Sequence, residues 1–78
     1  GGIPSEPTTE QRYLVAREHF NLCLETFGPR KTLGLMRKHL CWYARGMDGA
    51  ASFRAEINRT RTIDEMHTTL EEFFANAA

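Results

Sequence analysis

An all-α fold, a small four-helix bundle, is what this sequence predicts, on three observations. Apolar residues recur at three- and four-residue spacings, and no stretch alternates as a half-buried strand would. Two Thr-x-x-Gln/Glu boxes, Thr8 to Gln11 and Thr62 to Glu65, have the reciprocal side-chain pattern that satisfies the free N–H groups of a helix start. Gly28-Pro29 and the stretch "GMDGA" punctuate the chain between the periodic segments. A chain of 78 residues supports one small domain with a modest core.

Residues 1–7 read as an expression remnant, Gly1-Gly2, followed by a Pro-rich linker. Residues 8–78 form the helical domain. The first helix runs from Thr8 to about Phe27, with Tyr13, Ala16, Phe20, Cys23, Leu24 and Phe27 on one face. A weaker stripe, Val15, His19 and Leu22, lies on another side, to be covered by a second neighbour in the bundle or by a missing domain. Gly28 suits a C-terminal turn and Pro29 a first helical position. The second helix then runs to about Arg45, with Gly46 closing it. A short third helix covers about Ala50 to Asn58, with Ala50, Phe53 and Ile57 inward. The fourth follows Thr62 to about Asn76, with Ile63, Met66, Leu70, Phe73, Phe74 and Ala77 on one face.

The net charge is zero, but the charges are segregated. Residues 1–29 carry a balance of −2, residues 30–61 a balance of +6, and residues 62–78 a balance of −4. Such asymmetry points to one surface made for an anion. Eight of the ten basic residues are arginines, whose planar fork suits phosphate and carboxylate alike. Two isolated cysteines, Cys23 and Cys41, give no disulfide framework and point to a reducing compartment. With no long apolar run, the expectation is a soluble, cytoplasmic chain without membrane contact.

The second helix concentrates the chemistry. On a helical wheel Arg30, Lys31, Arg37, Lys38 and Arg45 share an arc of about 120°, together with Gly34 and Cys41. Met36, Leu40, Tyr43, Leu33 and Ala44 lie nearly opposite. Trp42 and Leu35 border the basic arc, and His39 lies between them and the apolar face. One reading is a solvated face over an ordinary core stripe. The other is a polyanion site. Arg30 and Lys31 stand at the positive end of the helix dipole, which disfavours them unless an anion rests there. Gly34 and Cys41 are small enough to let a bulky polyanion approach. Arg54, Arg59 and Arg61 extend the basic segment beyond the helix.

No other constellation competes. The spacings of His19, His39, His67, Cys23 and Cys41 match no metal site. Cys41 and His39 point to different faces of their helix, so they form no nucleophile pair. No catalytic and no metal-binding residue is expected, and no cofactor in this chain.

The segment "GPRKTLGLMRKHLCWYARG", followed by Phe53-Arg54, Ile57-Asn58 and the terminal "LEEFFAN", resembles the C-terminal helical domain of bacterial tRNA-dihydrouridine synthases. The string Arg37-Lys38-His39-Leu40 with Trp42-Tyr43 is most similar to the B subfamily, the nitrogen-regulation type. The resemblance covers about residues 12–76. It implies a parent enzyme with an N-terminal TIM barrel that binds FMN and reduces a uridine of tRNA with NADPH. The catalytic cysteine would sit in that barrel, and neither Cys23 nor Cys41 corresponds to it. On this reading residues 8–78 are a tRNA-binding domain, and residues 3–7 an inter-domain linker. The implied partners are tRNA and the barrel, with the chain itself monomeric. Candidate RNA contacts are Arg30, Lys31, Arg37, Lys38, Arg45, Arg54, Arg59 and Arg61. Candidate barrel contacts are Val15, Leu22, Leu35 and Trp42. Arg54 has an alternative as an internal salt-bridge partner of Glu56 or of an acid of the last helix. The whole domain also has alternatives, as a module that binds an acidic protein or as a brace for the barrel that never touches RNA.

Overall fold

The structure, a computed structural model, describes residues 8–77. The expected remnant and linker, residues 1–7, lie outside the described residues. Among those residues the chain is all-helical: α1 (Thr9–Tyr43), α2 (Ala50–Arg59) and α3 (Ile63–Ala77). Three helices form where four were expected. The first two expected helices are one 35-residue element, bent at Gly28. Gly28 has φ 81° and ψ 171°, a backbone region open almost only to glycine. Helical geometry resumes at Pro29, so no loop residues intervene. The bend reverses the chain. Arg12 donates to the Arg45 carbonyl at 3.1 Å, and His19 Nδ1 lies 3.2 Å from the Tyr43 hydroxyl. α1 is therefore an antiparallel pair of arms hinged at Gly28.

Local chemistry sets the ends. Thr8 and Gln11 form both bonds of the expected capping box, at 2.9 and 3.0 Å. At Thr62 half of the second expected box forms: the Glu65 N–H donates to Thr62 Oγ1 at 3.1 Å, while the Glu65 carboxylate accepts from the Thr62 hydroxyl at 3.2 Å. α1 ends two residues earlier than expected, with Ala44 as its cap. Positive φ at Gly46 and Gly49 carries the turn into α2.

The core lies between the arms and the two short helices. It joins Ala16, Phe20 and Cys23 of the first arm to Met36, Leu40 and Ala44 of the second. Phe53 and Ile57 of α2 and Met66, Leu70 and Phe74 of α3 complete it. Phe73 stacks on Phe53 with ring centroids 4.3 Å apart. Phe27, expected in the core, is 46% exposed, because the bend at Gly28 carries the end of the first arm past the packed region. Thr32, absent from the expected stripe, is fully buried.

Candidate nucleic-acid interface

The second arm of α1 and the α2–α3 turn bring most of the basic side chains to one region. Arg37 is the joint. It leaves the arm half-buried, and its Nη2 donates to the Thr60 carbonyl at 2.7 Å. Thr60 is itself buried, with its N–H and hydroxyl both directed at the Ile57 carbonyl. The contact locks the turn that carries Arg59 and Arg61 against the arm that carries Arg30, Lys31 and Lys38. Arg30, Lys31, Lys38, Arg59 and Arg61 are exposed. Lys31 lies over the Phe27 ring, 4.9 Å from its centroid, which holds an ammonium at the surface without neutralising it. Arg59 folds back on its own helix, with Nε donating to the Ala55 carbonyl at 3.3 Å.

Arg54 joins this region from α2. The salt bridge to Glu56 or to α3 weighed from sequence does not form. The Arg54 guanidinium lies beside Cys41 instead. Burial pushes the Cys41 thiol above its ordinary pKa, and Arg54 opposes that shift. The net direction favours the protonated thiol.

Arg45 stands apart. It follows the end of α1, where its carbonyl accepts from Arg12. Gln11, Arg12, Val15, Trp42, Tyr43 and Arg45 line an open groove of about 370 Å³ between the two arms.

Among the described residues no lysine or arginine has a carboxylate within 4.0 Å; the one charge contact is His67 with Glu71 at 3.4 Å. The eight exposed basic side chains are open to an external anion or to water, whereas Arg12 and Arg37 are half-buried. Glu56, Glu65 and Glu72 share a hollow with Arg59 and Thr60. Asp48, Glu56 and Glu72 line a hollow of about 560 Å³ over Phe53 and Phe73, between α2 and α3.

Of the residues expected to meet a second domain, Val15, Leu22 and Trp42 are 50%, 62% and 64% exposed, and Leu35 is half-buried. Leu14 is exposed as well. The sequence reading missed a His19–His39 pair, with ring centroids 4.8 Å apart on the seam between the arms. Desolvation first, and the neighbouring His39 second, hold His19 below the ordinary histidine pKa. The wheel of either helix places each histidine off its own core stripe, but only the antiparallel register brings them together.

No helix among the described residues is long and apolar enough to cross a membrane. No three His, Cys, Asp or Glu side chains among them are placed to hold a metal.

Comparison with known proteins adds the last observation. The family profile described as dihydrouridine synthase (Dus) matches residues 2–78. Over 73 residues, 94% of this chain, the sequence is 30% identical to the tRNA-dihydrouridine synthase B of Pseudomonas aeruginosa, covering 22% of that protein. It is 31% identical over 71 residues, 91% of this chain, to the probable tRNA-dihydrouridine synthase 1 of a Synechocystis species, covering 20% of it. A probable tRNA-dihydrouridine synthase of Rickettsia conorii is 25% identical over 76 residues, 97% of this chain and 23% of the relative. The chain thus spans about a fifth of the length of these curated relatives.

Proposed function

This chain belongs to the dihydrouridine synthase family, and from that premise we propose that residues 8–77 are the tRNA-binding helical domain of a flavin-dependent tRNA-dihydrouridine synthase of the B subfamily. The domain stands at the C-terminal side of the catalytic barrel. It holds the tRNA backbone so that the barrel reaches a uridine. Holding a substrate in register is a substantial part of catalysis, and a base must leave its stack to enter a reacting pocket.

One observation carries this reading. Arg37 ties the basic second arm of α1 to the turn that carries Arg59 and Arg61, and no lysine or arginine has a carboxylate within 4.0 Å among the described residues. Phosphates are the natural counter-charge, and they position a protein without specifying sequence. Arg30, Lys31, Lys38, Arg54, Arg59 and Arg61 make the contacts. Arg37 has its Nη2 committed to Thr60 and supports the surface from beneath. Arg45 contributes from the groove end.

The flavin does not belong on these residues. The hollow between α2 and α3 is lined by Asp48, Glu56 and Glu72, which repel a flavin phosphate. FMN and NADPH are held by the barrel of the parent enzyme, and this domain by itself is monomeric, cytoplasmic and without catalytic activity.

A second reading has its own support. Leu14, Val15, Leu22 and Trp42 are too exposed for a free surface to need them, and Leu35 continues the apolar side. Part of this side packs on the barrel. A pure brace would leave the basic region without a task.

Amide chemical shifts of the chain titrated with bulk tRNA, at low and at physiological salt, test the proposal. Salt-sensitive shifts at residues 30–45, 54 and 59–61 are expected. An unmoved spectrum at low salt would overturn it and leave the brace.

A further inference from the structure

Trp42 sits at the meeting point of the apolar side and the guanidinium groups, and the groove beneath it has an unusual lining. Val15, Tyr43 and the indole supply flat and apolar surface. Arg12 and Arg45 supply two positive charges at one end, and Gln11 a neutral amide. The Tyr43 ring lies 5.6 Å from the Trp42 ring at 77°, so its edge-to-face contact steadies the indole while 64% of Trp42 remains exposed.

We propose that this groove takes one unpaired nucleotide of the RNA, with its base on the indole and its phosphate on Arg12 and Arg45. The inference rests on the RNA-binding reading given above. Charge decides between a nucleotide and a protein surface as the occupant. An apolar protein face closing over Trp42 would also bury Arg12 and Arg45, which have no carboxylate partner among the described residues, without a counter-charge. Uncompensated buried charge is strongly unfavourable. Arg12 gives one N–H to the Arg45 carbonyl, which fixes its position and leaves its charge unmet. A nucleotide satisfies both demands at once, since its base stacks on an aromatic face and its phosphate meets the guanidinium forks. Leu22 and Leu14 carry no such lining and remain with the barrel.

Trp42 is the sole tryptophan of the chain, so intrinsic fluorescence reports on the groove directly. The test titrates the chain with a short single-stranded oligouridylate, with inorganic tripolyphosphate as an anion lacking bases. In parallel, fluorescein-labelled tRNA anisotropy measures binding anywhere on the chain. The expected result is saturable quenching by oligouridylate and little by tripolyphosphate. Trp42→Leu, checked for retained helicity by circular dichroism, then weakens oligouridylate binding by about tenfold, the loss of one stacked base. Equal quenching by tripolyphosphate would overturn the base contact. A rise in tRNA anisotropy with Trp42 silent would overturn the groove assignment and return Trp42 to protein packing, while the basic surface stands. Silence in both channels would overturn both readings.

Discussion

The two faces of the second arm of α1 obey different rules. Thr32, Met36, Leu40 and Ala44, on the inner face, are all 0% exposed. Lys31, Lys38 and Trp42, on the outer face, are exposed; Lys31 lies over the Phe27 ring and Trp42 meets only the edge of Tyr43. Arg37 marks the border. It is adjacent in sequence to Lys38, yet its guanidinium is drawn inward to the Thr60 carbonyl. The comparison separates what folding requires from what folding leaves over. The inner face is largely accounted for by burial, apart from the Thr32 hydroxyl, which is buried without a partner. The outer face is not, because unpaired cations and an exposed indole contribute little to stability.

The contrast predicts a graded series of effects. Leu40→Ala opens a cavity in the middle of the inner face and should cost about 2–5 kcal/mol in urea unfolding. Residual folded protein should still bind tRNA with the wild-type salt dependence. Arg37→Ala strips the Thr60 carbonyl of its charged donor, and should cost about 1.5–3 kcal/mol. Its neighbour Lys38→Ala should stay within about 0.5 kcal/mol in the same assay. Equal destabilisation by the pair would erase the border drawn here. Gly28→Ala tests the hinge. A Cβ there would meet no atom within 4 Å, so the cost is confined to the backbone, about 1–3 kcal/mol.

The smallest effect concerns pH. The folded state holds His19 below its ordinary pKa, so the unfolded chain binds the proton more readily. Stability is unaffected above the ordinary histidine value of about 6.5. It falls as the pH drops below that value toward the lowered folded one. A melting temperature that declines across this acidic window, and declines less in His19→Gln, is the expected outcome. A decline of the same size in the variant would remove His19 from the account.

Much of the inner face was legible in the sequence. The capping box at Thr8, half of the one at Thr62, and the stripes through Phe20, Leu40, Ile57 and Leu70 follow from periodicity and local hydrogen bonding, which need no tertiary information. Two kinds of feature were not legible. The break at Gly28 was legible from Gly-Pro, but not that helix resumes at Pro29 with no loop residue between the two arms. The fate of long side chains was also hidden. A wheel gives Arg37 and Lys38 the same arc, but a guanidinium reaches far enough for a carbonyl on another element to capture it. The same limit hid the His19–His39 pair and the Arg12–Arg45 contact, which exist only once the arms are antiparallel. The basic segment itself was plain from composition; the tie that Arg37 makes between its arm and the α2–α3 turn was not.

The central claim is that the outer face meets phosphate. Its most direct measurement is the salt dependence of tRNA affinity for this chain, followed by anisotropy across a range of potassium chloride. Each neutralised phosphate steepens the fall of log affinity with log salt by about 0.9 on duplex DNA and about 0.7 on single strands. The account predicts a slope between about −3 and −5, reduced by about 1 in Lys38→Ala. A slope near zero, or one untouched by Lys38→Ala, would contradict it.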